Sequence, residues 1–224
     1  MTDRPPKYVA IIGDLVGSRA MAPDERNQVQ KRFQVALDRV NVAFKDELAA
    51  LFLITAGDET QGILHRPDCS YEILRQIQFE LWPARIVFGV GYGPMTTPLK
   101  EYAVGADGPA FYRARQALEQ ARAERKAYGK SIRREVLFDS DESFKDEVVN
   151  ALFLAISVLR GQWTQKQWQI LRLVQQGATP SDISTSLAVP RSNISRTLHA
   201  SYYREFERIV AALQSYLKHG IEER

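Results

Sequence analysis

Residues 48–65, LAALFLITAGDETQGILH, decide the fold of the first half of the chain. Two short apolar runs flank Gly57-Asp58, and this dipeptide between apolar runs favours the tight turn of a β-hairpin. Residues 7–14, KYVAIIGD, form an almost continuously apolar run that also ends in Gly-Asp. Such a run is typical of a central strand that is buried on both faces. We therefore predict that a central strand and a hairpin share one sheet.

Amphipathic helices and further strands alternate with these elements along the chain. Helices are predicted from Pro23 to about Phe44, from Ser70 to Trp82, from about Pro109 onward and from Ser143 to Leu159, and strands over residues 84–93 and 131–138. The resulting order is β, α, β, β, α, β, α, β, α. This order predicts an α/β (α+β) fold with a mixed sheet covered by helices, close to the ferredoxin-like split βαβ pattern.

The character of the sequence changes after Gly161, because no further strand-like run follows. The pattern predicts two short helices, within residues 163–177 and 179–189, and one long helix over residues 190–219. We predict two domains, an α/β domain over residues 1–160 and a small all-α domain over residues 161–224.

Composition excludes several classes of protein. Of the 224 residues, 45% are hydrophobic and 25% are charged, which is typical of a globular chain and argues against a disordered or collagen-like one. The net charge is +3, but residues 151–224 hold nine basic and five acidic side chains, whereas residues 1–150 hold 21 and 22. Cys69 is the only cysteine, which excludes an intrachain disulfide and a multi-cysteine zinc site. The most hydrophobic uncharged stretch, Val148 to Leu159, is shorter than the roughly 20 residues that span a bilayer. We expect a cytoplasmic protein without a membrane partner.

Two aspartates carry the most informative chemistry of the first domain. Asp14 ends the predicted central strand and Asp58 lies at the hairpin tip, so both carboxylates converge at one edge of the sheet. Convergent carboxylates suit Mg²⁺, which leaves its other positions for water and phosphate. Gly17, Ser18 and Arg19 follow in a loop before a helix, where N–H groups and a guanidinium can hold phosphate oxygens. The alternative is structural, because Gly-Asp is also a common hairpin dipeptide.

Four stretches together resemble the SatD family of bacterial proteins. They are YVAIIGDLVGSR, FLITAGDETQGIL, RIVFGVGYGPM and GADGPAFYRARQALEQA, and the resemblance covers the first domain from about Tyr8 to Ala121. The same segments more distantly resemble class III nucleotidyl cyclases and the palm domains of diguanylate cyclases and polymerases. This resemblance implies a palm-type fold in which Asp14 and Asp58 bind the metal.

The chain also departs from the cyclase pattern. Cyclases follow the Gly-Pro of their next helix with Asn-x-x-Ala-Arg, whereas this chain has Phe-Tyr-Arg-Ala-Arg over residues 111–115. The Asn is missing and the arginine is shifted, so Arg115 or Arg113 is the candidate phosphate contact and no catalytic residue is assigned. Glu59, next to Asp58, is a candidate third acidic ligand, whereas alternation along a strand favours the face opposite Asp58.

Three alternate glycines, Gly89, Gly91 and Gly93, leave a bare stripe on one face of their strand. A ligand or a helix can approach the backbone along such a stripe, and close helix packing is the more frequent cause.

The C-terminal part contains a helix-turn-helix pattern. Thr179-Pro180-Ser181-Asp182 is a complete helix start, Ala188-Val189 makes a turn, and Pro190 starts a second helix. Arg, Asn and Ser side chains read base edges and phosphates in a major groove. The predicted DNA-contacting residues are Thr179, Arg191, Ser192, Asn193, Ser195, Arg196 and His199.

These residues and the preceding helix, WTQKQWQILRLVQQGAT, resemble the helix-turn-helix domains of sigma-factor region four and of LuxR-type regulators. Ser184 stands where Ala is usual, and Ala188 stands where Gly usually makes the turn. The alternative is a three-helix packing or dimerisation module without a DNA role.

The combined hypothesis is a DNA-binding transcriptional regulator whose first domain binds a nucleotide or other phosphate ligand with Mg²⁺. A homodimer is expected, because helix-turn-helix proteins commonly bind DNA as dimers. One alternative is a metal-dependent nucleotidyl cyclase or nucleotidyltransferase, and another is an assembly protein with neither activity.

Overall fold

A computed structural model describes residues 5–55, 57–128 and 134–221 of the chain. The described residues of the first part form strands and helices in the predicted order. They are β1 (Lys7–Leu15), α1 (Pro23–Ala43), β2 (Leu48–Ile54), β3 (Glu59–Leu64), α2 (Ser70–Leu81), β4 (Ile86–Pro94), α3 (Pro109–Tyr128), β5 (Val136–Asp139) and α4 (Ser143–Gln162). Of the last predicted strand, residues 131–133 lie outside the described part, and the strand observed there begins at Val136.

The five strands form one mixed sheet in the order β2-β3-β1-β4-β5. Strand β1 is antiparallel to both of its neighbours, β3 and β4, and β5 joins the sheet parallel to β4. The βαββαβ connection with β1 between β3 and β4 is the ferredoxin-like arrangement, extended here by α3 and β5. The predicted fold class, a mixed sheet covered by helices, is confirmed.

Strand β1 is buried on both faces, as its apolar sequence predicts. Val9 and Ile11 belong to the larger apolar cluster, which includes residues of α1, α2 and α4. Ala10 and Ile12 face the other way and pack with residues of α3. The sheet therefore separates two helical layers. Asp14 lies on the α3 side, because it follows Ile12 by two residues and so points to the same face.

Helix α3 packs closely on β4 through the glycine stripe. A Cβ atom built on Gly89 would lie 2.0 Å from the carbonyl oxygen of Ala114, and one on Gly91 would lie 2.1 Å from that of Ala110. Both distances are far shorter than a van der Waals contact, so only glycine admits the helix backbone this close to the strand. The glycine stripe therefore allows close helix packing, which was the favoured alternative to approach of a ligand.

Four helices and a turn of π-helix follow in the described residues of the C-terminal part. They are α5 (Gln165–Gln175), α6 (Pro180–Leu187), α7 (Arg191–Ala200), α8 (Tyr203–Ser215) and the π-turn (Tyr216–Gly220). The prediction of one long helix over residues 190–219 is wrong. The helix is interrupted at Tyr202, which adopts a left-handed conformation with φ 52°. The indole Nε1 of Trp163 donates a hydrogen bond of 3.0 Å to the carbonyl oxygen of Ser201, and this contact holds the break in the core.

Helices α5, α6 and α7 pack together through one buried isoleucine each, namely Ile170, Ile183 and Ile194. Helix α5 also contacts the first part of the chain, where the rings of Trp168 and Phe79 meet edge to face with centroids 5.1 Å apart. Apolar contact is therefore continuous across position 161, and the predicted division of the chain there stays a prediction. Within the described residues, no helix combines the length and apolar character needed to cross a membrane.

The glycine stripe yields a stability prediction. Gly89→Ala should force α3 away from β4, because the added methyl group meets helix backbone, and overpacking of a core costs about 1–3 kcal/mol or more. Gly93→Ala is the matched control on the same strand face. Its new Cβ would first meet Nη1 of Arg113 at 2.6 Å, the far end of a flexible side chain that can move aside. Urea unfolding should show a clearly larger loss for Gly89→Ala, and equal losses would contradict the packing argument.

Candidate functional site

The ends of β1 and β3 bring three carboxylates to one edge of the sheet. The backbone N–H of Leu15 donates to the carbonyl oxygen of Asp58 at 3.1 Å, so the hairpin turn lies directly beside the end of β1. Asp14 is the register partner of Glu59 in the antiparallel ladder. Directly opposite residues share a face of the sheet, so the side chains of Asp14 and Glu59 lie on the same side. We call Asp14, Asp58 and Glu59 the carboxylate cluster.

Two arginines of α3 reach over this cluster. Arg115 binds Glu59 with both terminal nitrogens, which donate to the two carboxylate oxygens at 2.6 and 2.7 Å. Arg122 donates from Nε to Asp14 Oδ2 at 3.1 Å, and its terminal nitrogen lies 2.6 Å from Asp14 Oδ1. That terminal nitrogen also lies 3.9 Å from a carboxylate oxygen of Glu59. Each arginine therefore makes a forked contact with one carboxylate, the strong geometry for guanidinium binding.

The loop after β1 closes the cluster on the side of Asp58. Gly17 adopts a left-handed conformation with φ 74°, and Ser18 follows it into a short 3-10 turn. Ser18 is buried, and its hydroxyl donates a hydrogen bond to a carboxylate oxygen of Asp58. Arg19 is exposed. The predicted phosphate-binding residues Gly17, Ser18 and Arg19 thus lie in the loop beside Asp58, and their role stays a prediction.

Burial and crowding of negative charge disfavour the charged form of Asp14. Burial raises the pKa of Asp14 above its ordinary value, Arg122 opposes the rise, and the charges of Asp58 and Glu59 add to it. The hydrogen bonds that Arg115 donates to Glu59 raise the pKa of Arg115 in turn. Three carboxylates face two guanidinium groups here, so a cation added to the cluster would meet an unbalanced negative charge.

The donor set of the cluster fits Mg²⁺ only together with a second ligand. Among the described residues, no group of three or more His, Cys, Asp and Glu side chains is arranged to hold a metal ion. Mg²⁺ is commonly bound by one or two carboxylates while phosphate oxygens and water complete its shell. Asp14 and Asp58 supply that minimum, so the residues present fit a metal ion that arrives with a phosphate ligand.

The sequence analysis named Glu59 but not Arg122. Alternation predicts that Glu59 points away from Asp58, which stays a prediction, and the register with Asp14 places Glu59 on the same face of the sheet as Asp14. Arg122 lies seven residues after Arg115, a spacing that puts both on one face of a helix and so could have identified it. The other arginine considered, Arg113, lies elsewhere, because it donates to the carbonyl oxygen of Tyr92 and to Asp141.

The predicted DNA-contacting residues lie on α6 and α7. Ile194 faces the core, whereas Arg191, Ser192, Ser195, Arg196 and His199 are exposed and Asn193 is half-buried. Thr179 caps α6, since its hydroxyl accepts from the backbone N–H of Asp182 and donates to that carboxylate. The structure thus places these residues on one helical pair, and their contact with DNA stays a prediction.

The raised pKa of Asp14 predicts a pH dependence of stability. An aspartate whose pKa is higher in the folded state stabilises the fold at low pH, and this contribution is lost as pH rises through the folded pKa. Asp14→Asn removes the titration. The free energy of unfolding of the wild type, relative to Asp14→Asn, should therefore fall as pH rises from the ordinary value of 3.8 and level off above the folded pKa. Urea unfolding of both proteins across this pH range measures the difference.

Asp182 provides a control with the opposite sign. Hydrogen bonds from Thr179 lower the pKa of Asp182, so its contribution is present above the ordinary value and is lost as pH falls. The wild type should therefore gain stability over Asp182→Asn as pH rises. Parallel curves for the two variants would show that burial does not govern Asp14.

The topology of this chain has weak likenesses among solved structures. The catalytic core of a rhodopsin-guanylyl cyclase with converted specificity, in complex with ATPalphaS, is 13% identical with a TM-score of 0.41, covering 53% of this chain and 76% of that one. One structure of a bacterial light-regulated adenylyl cyclase is 13% identical with a TM-score of 0.41, covering 59% and 74%. Another is 12% identical with a TM-score of 0.43, covering 59% and 42%. The fold assignment therefore rests on the strand order of this chain itself.

Comparison at the level of sequence gives a family. No curated protein matches the chain. The sequence model of the SatD family matches residues 8–209, which include β1, the carboxylate cluster, α3 and helices α4 to α7. The match therefore extends well beyond residues 8–121, which carry the resemblance to this family. The chain belongs to the SatD family.

Proposed function

We propose that the carboxylate cluster binds a nucleoside triphosphate together with Mg²⁺, as a site of the nucleotidyl cyclase or nucleotidyltransferase type. The observation that carries the proposal is the forked contact of Arg115 and Arg122 with carboxylates at the end of β1. Guanidinium forks bind phosphate with the same geometry as carboxylate. A triphosphate and a metal ion can therefore replace the internal ion pairs with equivalent ones.

The proposal assigns a task to each side chain. Asp14 and Asp58 would hold the metal ion, which would supply positive charge to the phosphate oxygens. Arg122 leaves Asp14 and turns toward Glu59, whose carboxylate oxygen already lies 3.9 Å from its terminal nitrogen. Arg115 binds a phosphate oxygen, and the N–H groups of the loop at Gly17, Ser18 and Arg19 face the ligand from the other side.

A melting-temperature experiment tests this assignment. ATP or GTP should raise the melting temperature only when Mg²⁺ is present, because a ligand that binds the folded state stabilises it by mass action. Asp58→Asn should abolish the shift while leaving the protein folded, since the amide of Asn keeps an oxygen that can accept from Ser18. Asp68→Asn is the matched control, because Asp68 pairs with Arg66 in an exposed loop outside the cluster.

The outcomes of the experiment are distinct. A shift without Mg²⁺, or one that survives in Asp58→Asn, would contradict the metal assignment. Incubation of the wild type with ATP and with GTP, followed by chromatography of the nucleotides, then separates the enzyme from the sensor. A cyclic or transferred nucleotide product supports nucleotidyl transfer, and binding without turnover supports a ligand-controlled regulator.

We infer a second candidate function, DNA binding, from the surface of α7. Helices α6 and α7 meet through Ile183 and Ile194, which leaves the polar face of α7 toward solvent. Arg191 already contacts Ser181 at 2.7 Å, and Arg196 contacts Asn193 at 3.4 Å, so the side chains of this face lie side by side. Such a face suits the major groove. With it we propose the combined hypothesis, in which nucleotide binding to the first part regulates DNA binding by a homodimer.

The salt dependence of DNA binding tests the second candidate. Affinity for duplex DNA should fall steeply as salt increases, because bound phosphates release counterions. Arg196→Ala should weaken binding, by about 1–3 kcal/mol if its side chain reaches a base edge. Arg204→Ala, on the exposed side of α8, should bind like the wild type. Absent binding, or equal losses in both variants, would remove the DNA-binding role. Electrophoretic mobility shift over a salt series measures all three proteins.

A further inference from the structure

A cavity lies away from the carboxylate cluster, where α2, β4 and α4 meet α5. Its volume is about 180 Å³, and its wall includes Arg85, Glu135, Arg160 and three indole rings. None of its lining residues belongs to the carboxylate cluster. It is therefore a candidate site in its own right.

Arg160 is a buried cation without a full set of partners. Its side chain is 8% exposed. One terminal nitrogen donates to the amide oxygen of Gln78, and the guanidinium lies over the ring of Trp168, 5.4 Å from its centroid. Its Nε finds no hydrogen-bond acceptor in the described part of the chain. A buried donor without an acceptor is costly, so Arg160 has capacity for another acceptor.

Positive charge exceeds negative charge around the cavity. Glu135 is the acidic residue of its wall, and it faces Arg85 at 3.3 Å and Arg160 at the longer distance of 3.9 Å. Arg125 adds to the positive charge close to Arg85. Burial and the charge of Arg85 lower the pKa of Arg125. One carboxylate at these distances does not neutralise the arginines that surround it, so an anion would be attracted.

The rest of the wall is aromatic. Trp82, Trp163 and Trp168 line the cavity, with centroid distances of 5.7 Å from Trp82 to Trp168 and 5.5 Å from Trp163 to Trp168. Indole surface favours a planar apolar body over a hydrated inorganic ion. A guanidinium fork and an apolar wall together match an organic acid.

We propose that this cavity binds a small organic carboxylate, with its carboxylate on Arg160 and Arg85 and its apolar body against the indole rings. The ligand would then contact the end of α4, the beginning of β4 and α5 at once. It would tie the C-terminal helices to the sheet.

Tryptophan fluorescence provides a selective test, because the chain has three tryptophans and all three line the cavity. Titration of the full chain with benzoate should change the fluorescence saturably. Benzamide, the neutral analogue of the same shape, and sulfate, an inorganic anion, should not. Arg160→Gln should weaken benzoate binding about tenfold or more, since charge-assisted hydrogen bonds are the strong ones.

Two further variants keep the test decisive. Arg85→Gln removes a half-exposed arginine of the wall and should also weaken benzoate binding, which covers the case in which Arg160→Gln does not fold. Arg66→Gln, in an exposed loop, should bind benzoate like the wild type. Equal titration by benzamide, a response to sulfate at the same concentration, or unchanged affinity in Arg85→Gln would overturn the proposal. These outcomes are independent of the nucleotide experiment, because Asp58→Asn leaves the cavity intact.

Discussion

The close approach of α3 to β4 is the constraint on which the candidate site depends. Gly89 and Gly91 remove the side chains that would otherwise hold the helix backbone away from the sheet. At that distance Arg115 and Arg122, two turns apart on α3, reach the carboxylates at the ends of β1 and β3. The missing side chains of β4 therefore determine how far the arginines of α3 can reach toward the carboxylates of β1 and β3.

The charge of Asp14 in the carboxylate cluster is only partly compensated. Burial of Asp14 beside Asp58 and Glu59 disfavours its charge, and the fork of Arg122 offsets that cost without removing it. A phosphate could therefore replace the carboxylates as the partner of the arginines, and a cation could replace the arginines as the partner of the carboxylates. Sites that bind ligands commonly carry such unresolved charge, because groups poised for a ligand cannot all be satisfied without it.

Local patterns in the sequence predicted the elements well, and tertiary contacts explain what they missed. The hairpin at Gly57-Asp58 and the glycine stripe depend on neighbours in the chain, so both were visible in the sequence. The break at Tyr202 was not, because it depends on a hydrogen bond from Trp163 to Ser201, 38 residues apart. The contact of Glu59 with the other carboxylates likewise depends on a distant part of the chain, because its register partner is Asp14 on another strand.

Helix α4 packs against both the sheet and the C-terminal helices. Near its start, Asn150 accepts from the N–H of Phe138 and donates to the carbonyl oxygen of the same residue, which fixes the helix to β5. At its other end Arg160 lies over Trp168 of α5. Phe153, between these points, shares one buried apolar cluster with Trp168 and Phe206. Separation of the C-terminal helices as a free body would expose that cluster to water, at about 25 cal/mol for each Å² of apolar surface. Any influence of the first part on α7 must therefore travel as a small shift of packed helices rather than as an opening of the molecule.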